Sequence, residues 1–318
     1  MGKNKDRQKK TKEKRFTKAA IKKDFKKNYF AYLLIIPVLL WYIIFCYGPM
    51  WGISIGFKDF KPLLGFSKSK WVGLKYFKEF FTGPYFFRTV KNTFLLNIWG
   101  LVFGFTAPII LSLFLNEVRN KHFKKVVQTI TYMPHFISIV VICGMIHLFT
   151  QSGGIITQVV DFITGTEHSS LLGFAGMFRP IYTFSGIWQN IGWDSIIYLS
   201  AMSSIDPGLY EAAEIDGAGR FKRMWHVTLP QIRPTIIILF IFAVGGLMGS
   251  SHEKIILLYN PLTYTTADVI ATYIYRRGLQ EASYGFATAV GLVSSVVNFI
   301  LLWITNKVAK KYSEVSIW

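Results

Sequence analysis

Cysteine is nearly absent: Cys46 and Cys143 are the two among 318 residues, with no partner spacing between them. That excludes a disulfide-stapled secreted domain. Both thiols fall inside apolar runs, where a small buried hydrophobe is the plain reading. Acidic residues are scarce too, 17 against 36 lysines and arginines, for a net charge of +19. Charged residues make up 17% of the chain, 52% is hydrophobic and 17% aromatic, where about a quarter charged is usual. That apolar content excludes disorder and does not suit soluble domains. No G-x-x-x-x-G-K-[ST] phosphate loop occurs, so the chain lacks the common means of binding ATP. No His/Cys/carboxylate cluster has metal spacing, and His252-Glu253 lacks the second histidine of a zinc helix. Paired catalytic groups within the apolar runs are missing as well, which disfavours a membrane-embedded enzyme. What remains is an all-α polytopic membrane protein.

A hydrocarbon core about 30 Å thick needs roughly 20 apolar residues as helix. Phe30–Trp51 is such a run, without one charge. Six runs occur, at about 30–51, 93–116, 127–150, 182–202, 232–250 and 284–305. The expected organisation is a basic tail (1–28), a six-helix transmembrane domain (29–306) and a short C-terminal tail (307–318). The first run is too long for a cleaved leader and precedes no small-x-small site, so it reads as a retained helix. Residues 1–28 hold 13 basic and three acidic residues, which places the N-terminus in the cytoplasm. Alternation then puts 117–126, 203–231 and the C-terminal tail inside, and 151–181 and 251–283 outside. Segment 52–92 disobeys, with eight basic residues against two acids on its nominally outer side. The positive charge carries no nucleic-acid motif; anionic lipid at the inner face is the simpler partner, at about 1 kcal/mol per basic residue near the surface.

Several segments carry pattern. Leu74, Phe77, Phe80 and Phe81 recur at helical spacing with Lys75, Lys78 and Glu79 between them. This predicts an amphipathic helix in the membrane interface, or alternatively a lysine-bearing surface that attracts an acidic solute. Ile155, Ile156, Val159, Val160 and Ile163 make a second stripe, expected to pack on the outer mouth of the bundle. Gly100 and Gly104, and Ala287, Gly291 and Ser295, have the small-residue spacing that lets helices approach closely in lipid. Pro108 and Pro134 are expected to kink their helices. The fourth run is the polar one: Ser185, Trp188, Gln189, Asn190, Trp193 and Asp194. Asp194 is the one carboxylate in any run, at a cost of roughly 2.5–3.5 kcal/mol on insertion scales, and such a group normally faces a cavity or a partner. Tryptophan faces beside amides and a carboxylate suit a sugar, whose CH faces stack and whose hydroxyls hydrogen-bond. The alternative is that Asp194 pairs within the bundle as structural glue. Asn298 in the last run is a further lining candidate.

Between the fourth and fifth runs lies the most informative loop. Asp206 is a good N-cap and Pro207 a suitable first helical residue. A helix can run to about Asp216, where Gly217 supplies a left-handed stop. A second short helix over about 220–227 is expected to end at Leu229-Pro230. The two form a knob, or, read plainly, a solvated helical hairpin.

Glu211-Ala212-Ala213, three residues, Gly217, nine residues, then Val227-Thr228-Leu229-Pro230 resembles the EAA loop of ABC-importer permeases, E-A-A-x3-G-x9-I-x-L-P. Val227 stands where isoleucine is usual. The resemblance extends over almost the whole chain, to permeases of carbohydrate importers related to the maltose system. Gly48-Pro49-Met50, Phe57-Lys58-Asp59-Phe60, Trp71-Val72-Gly73-Leu74 and Asn92-Thr93 look like a subgroup that imports oligosaccharides from complex polysaccharides, including uronate-rich pectin and alginate. It implies that Glu211, Ala212, Ala213, Asp216, Gly217, Leu229 and Pro230 form the link to an ATPase. The implied partners are a second homologous permease, two ATPase subunits that bind ATP and magnesium, and an extracellular solute-binding protein, all at a bacterial cell membrane. Trp188, Gln189, Asn190, Trp193, Asp194 and Asn298, chosen for their polar and aromatic chemistry, are candidates for the substrate pathway of a subunit that, by this likeness, has no cofactor of its own. An importer of a non-sugar solute remains open, as does a secondary transporter, though the chain has no convincing inverted repeat.

Overall fold

The computed structural model describes residues 18–249, 251–313 and 315–318, so most of the expected basic tail lies outside the described residues. The chain divides into two units, residues 1–54 and 55–318. In the first, α1 (Lys18–Lys27) ends on Lys26 and Lys27, whose charges suit the negative end of a helix dipole. Here also begins α2 (Tyr29–Phe57), whose apolar window is wholly unburied. A helix apolar on every face has no side that water selects, so lipid suits it all round.

The second unit opens on a two-residue antiparallel ladder, β1 (Lys58–Asp59) with β2 (Lys70–Trp71). Next comes α3 (Lys75–Thr82), on which the expected stripe is turned: Tyr76 and Phe80 are buried while Leu74 and Phe81 are exposed. The cause is local. The Tyr76 hydroxyl donates to Asp59 Oδ1 at 3.0 Å and its ring meets Phe286 edge-on at 6.4 Å, which draws the Tyr76–Phe80 edge inward. Burial and the Asp59 carboxylate together push the Tyr76 phenol up to about 12.

The main helices are then α4 (Phe86–Glu117), α5 (Lys121–Tyr132), α6 (Ile139–Thr150), α7 (Ile155–Thr164), α8 (Ala175–Ser203), α9 (Pro207–Ile215), α10 (Arg220–Gly245), α11 (His252–Leu258), α12 (Ile270–Tyr275) and α13 (Tyr284–Ser313). Among the described residues, α2, α4, α10 and α13 have the length and apolarity to cross a bilayer. Residues 121–136 and α6 make up the third apolar run, but they meet at 102° instead of forming one straight helix. Pro134 lacks the donor to continue α5, a 3-10 turn follows over Met133–Phe136, and the Ser138 hydroxyl caps a fresh start by accepting from Val141 N–H. Taken as one broken span, this pair gives a fifth crossing. Helix α8 has 29 residues, long enough at 1.5 Å per residue. Arg179, Gln189, Asn190 and Asp194 interrupt its apolar surface.

Three apolar clusters hold the unit together. Ile142, Cys143 and Ile146 of α6 meet Phe178 of α8 and Ile255 and Leu258 of α11. Tyr76 and Phe80 meet Ile270 and, on α13, Phe286, Ala289 and Val290. Tyr198 and Met202 of α8 meet Ile232 of α10. In lipid, helices packed in this way are held by van der Waals contact and not by a hydrophobic driving force between them. Helix α7 forms as expected, from Gly154 to a left-handed Gly165. Its stripe is largely uncovered, however: Ile155, Val159 and Ile163 are exposed, and Thr157 is the buried residue. Nor do Gly100 and Gly104 bring two helices together, since a Cβ at either would meet nothing within 4 Å. They lie in a π turn four residues before Pro108, which absorbs the missing donor and keeps α4 continuous.

Candidate functional site

The loop after α8 forms the expected knob. Asp206 caps α9, accepting from Gly208 N–H at 2.9 Å, and Pro207 opens it. Gly217 adopts φ +74°, where a side chain would be strained. Its N–H donates to Glu214 O at 3.0 Å and that of Ala218 to Ala213 O at 2.8 Å, closing the helix. Arg223 Nη1 donates to Glu214 Oε2 at 2.9 Å, and Tyr210 and Thr228 hydroxyls meet at 3.0 Å, so α9 is held against α10. Glu211, Ala212, Asp216, Gly217 and Pro230 are exposed; Ala213 and Leu229 are half-buried. Ile215 is 87% and Phe221 75% exposed. Large apolar side chains left in the open on either side of the turn between α9 and α10 suit an interaction surface. One expectation fails: the second short helix does not stop at Leu229-Pro230 but runs on as α10. A π turn over Met224–Thr228 precedes Pro230 and accommodates its missing donor.

The polar face of α8 docks onto the break between α5 and α6. The Trp193 ring lies flat on the His135 imidazole, 4.5 Å away at 2°, with Phe136 edge-on at 5.6 Å. His135 Nδ1 donates to Asn190 Oδ1 at 2.9 Å, and Asn190 Nδ2 donates to Gly186 O at 3.1 Å. Two cavities share Asp194. One of about 430 Å³ is lined by Trp193, Asp194, Gly104 and Pro108. The other, about 310 Å³, is lined by Gln189, Asn190, Asp194, Gly100 and Lys254. Four pathway candidates, Gln189, Asn190, Trp193 and Asp194, are thus brought together. Trp188 faces elsewhere, into an apolar cavity of about 440 Å³ bounded by α6, α7 and α8. Asn298 also stands apart: its Oδ1 accepts from Met248 N–H at 2.8 Å, closing the turn after α10.

Three residues outside the sequence-derived set matter here. His135 could have been suspected from its place beside Pro134, the expected kink. Asp268 is fully buried and bridges Arg88 Nη2 and Arg276 Nη2, each at 2.7 Å, while accepting from Thr272 Oγ1 at 2.9 Å. Next to it Asn92 Nδ2 donates to the Asp268 and Thr265 carbonyls at 3.0 Å, and Asn92 Oδ1 accepts from Arg179 Nη2 at 2.9 Å. This network pins α4, the start of α8 and the 260–276 stretch to one another. Lys254 is the third, also buried, with Nζ donating to Tyr182 O at 3.0 Å. No sequence signal separated it from the other basic residues of its loop. Among the described residues no group of His, Cys, Asp and Glu could hold a metal ion.

Comparison with known proteins places this architecture. Residues 100–314 match the family described as binding-protein-dependent transport system inner membrane component. Protein LplB of Bacillus subtilis is 46% identical over 290 residues, covering 91% of each chain. The polygalacturonan/rhamnogalacturonan transport system permease protein YteP of the same organism is 43% identical, over 91% of this chain and 90% of that one. Among solved structures, a bacterial alginate ABC transporter in complex with alginate pentasaccharide-bound periplasmic protein contains a chain that is 40% identical, with a TM-score of 0.84, covering 93% of this chain and 99% of that one. The chain therefore belongs to the family of binding-protein-dependent transport system inner membrane components, and is a membrane permease subunit, not an enzyme.

Proposed function

We propose that this chain forms half of the transmembrane pathway of an ABC importer and carries oligosaccharides, acidic ones among them, into the cytoplasm of a bacterium. The relatives support the cargo: one is described by polygalacturonan and rhamnogalacturonan, another by alginate, all polymers rich in acidic sugars. In this account α2, α4, the α5–α6 pair, α8, α10 and α13 are the six crossings. The polar α8 belongs where it faces a cavity and not lipid, which is where a carboxylate such as Asp194 is tolerated. Both termini and the 206–228 knob lie in the cytoplasm, as the basic N-terminal excess requires, and that excess also holds the tail to anionic lipid.

The observation that carries the mechanism is the knob. Glu211, Ala212, Ala213, Asp216 and Gly217 sit on a capped, cross-braced element with exposed Ile215 and Phe221 at its tip. That is a shape to be seated in a groove of another protein. Two ATPase subunits hold ATP and magnesium and supply that groove; a second homologous permease completes the pathway, and an extracellular solute-binding protein delivers cargo. Closure of the ATPase pair pushes on the knob. Because α9 is tied to α10 by Arg223–Glu214 and Tyr210–Thr228, and α10 continues through Leu229 and Pro230 without a break, the push reaches the membrane-embedded bundle. Gln189, Asn190, Trp193 and Asp194 then offer hydroxyl partners and an aromatic face to a passing sugar.

The test is Gly217→Pro. Proline holds φ near −65° and cannot reach the +74° found here, and it also lacks the N–H given to Glu214. The variant is expected in the membrane at normal levels, with solute-stimulated ATP hydrolysis by the whole complex reduced at least tenfold. Unchanged stimulation would remove the coupling role from this loop. An importer of a non-sugar solute would show itself if the companion binding protein retained no oligosaccharide.

A further inference from the structure

The cavity of about 310 Å³ between α4, α6 and α8 is lined by a cation that forms no ion pair among the described residues. Lys254 is 4% exposed. Its helix packs against α6 through Ile255 and Leu258, which carries the lysine inward beside Tyr182 and Gly186. The ammonium donates to Tyr182 O at 3.0 Å and lies 4.8 Å from the centre of the Tyr182 ring. Among the described residues it forms no ion pair. Of its three donors, one is thus spent on a neutral carbonyl.

A buried cation left without an anion loses several kcal/mol of hydration that no Coulomb attraction repays. An anionic ligand would complete the arrangement. Lys254 lines the same cavity as Thr183, Gln189, Asn190, Asp194 and Ser251, a set of hydroxyl, amide and carboxylate groups suited to sugar hydroxyls. Asp194 does not pair with Lys254: no salt bridge joins them. The cavity is therefore lined by groups of opposite sign that do not pair with each other. A neutral sugar would leave the lysine uncompensated, whereas a sugar acid can place its carboxylate on the ammonium and turn its hydroxyls toward Asp194, Asn190 and Gln189. The reverse orientation sets two carboxylates face to face and is excluded by their repulsion. A charge-assisted hydrogen bond at a dry site is about twice as strong as a neutral one, so this one contact can decide between cargoes of equal size.

We propose that Lys254 is a specificity-determining residue that receives the carboxylate of a uronic acid unit as it passes through the cavity, with Asp194 fixing the orientation of the sugar. This rests on the importer function proposed above and names the chemical class of the cargo at that site.

The test uses the complete transporter in proteoliposomes, with its binding protein and internal ATP, and a galacturonate trisaccharide as probe. Lys254→Met, which keeps the volume and removes the charge, is expected to lower uptake at least tenfold, and Lys254→Arg to restore most of it. Uptake by Lys254→Met within twofold of the unaltered transporter would overturn the assignment while leaving the importer function intact. An unaltered transporter that moves no acidic trisaccharide would overturn the assignment together with the acidic cargo proposed above. If Lys254→Met does not assemble, the unaltered complex still decides the matter. Carbodiimide activation of the bound trisaccharide carboxylate during turnover should leave an amide on the peptide that contains Lys254, seen by mass spectrometry. Absence of that adduct would contradict the proposal.

Discussion

Among the described residues two ions are buried in this bundle, and they are treated in opposite ways. Asp268 lies between two guanidinium groups and a threonine hydroxyl, with Asn92 holding its carbonyl and that of Thr265. Lys254, as deeply buried, has a carbonyl and an aromatic ring. At the first site the carboxylate is paired within the chain, and α4, the start of α8 and the 260–276 stretch are tied to one another around it. The second is incomplete, and it is the one that lines a cavity. A bundle that can satisfy a buried aspartate with two arginines has not failed to find an acid for its lysine; the missing anion belongs to what passes through. Charge compensation thus separates what holds the permease together from what meets the cargo.

That distinction can be broken at several points. Asp268→Ala leaves Arg88 and Arg276 without their anion and should cost about 3–5 kcal/mol, the range for removing one partner of a buried pair. Thermal melting of the purified complex should fall by several degrees; an unchanged midpoint would show that the network is not a structural lock. Glu214→Gln, at the exposed pair with Arg223 on the knob, should cost less than about 1 kcal/mol and leave the midpoint nearly in place. The smallest loss is expected at the most buried cation. Lys254→Met should melt at the same temperature as the unaltered protein or slightly higher, because it removes an uncompensated charge. A large drop there would make Lys254 a structural residue and erase the contrast with Asp268.

How much of this was legible beforehand follows from the range of each interaction. The six apolar runs, the start of α9 at Asp206-Pro207 and its stop at Gly217 depend on neighbours within a few residues, and the structure has helices at each run and both caps in place. The exposed knob likewise follows from local signals. The break in the third run was foreshadowed by Pro134, but the stacking of His135 on Trp193 beside its 102° bend is a contact between residues far apart in the chain. The separation of Trp188 from Asn190 and Asp194 had a similar origin: all lie within two turns of α8, yet different neighbours cover each side. Lys254 was least legible. In sequence it is one of three basic residues balanced by three acids over 251–283. Only the folded course of that stretch takes Asp268 to the arginines and leaves the lysine alone.

The central claim, that this subunit passes acidic oligosaccharides through a bundle driven from its inner face, is tested most directly by uptake. The complex of this chain with its second permease and two ATPases, sealed in vesicles with ATP inside, should accumulate a labelled galacturonate trisaccharide against its gradient when the loaded binding protein is added. It should do so only while ATP is hydrolysed. Equilibration of the sugar without ATP, or ATP hydrolysis with no acidic sugar gained inside, would contradict the account.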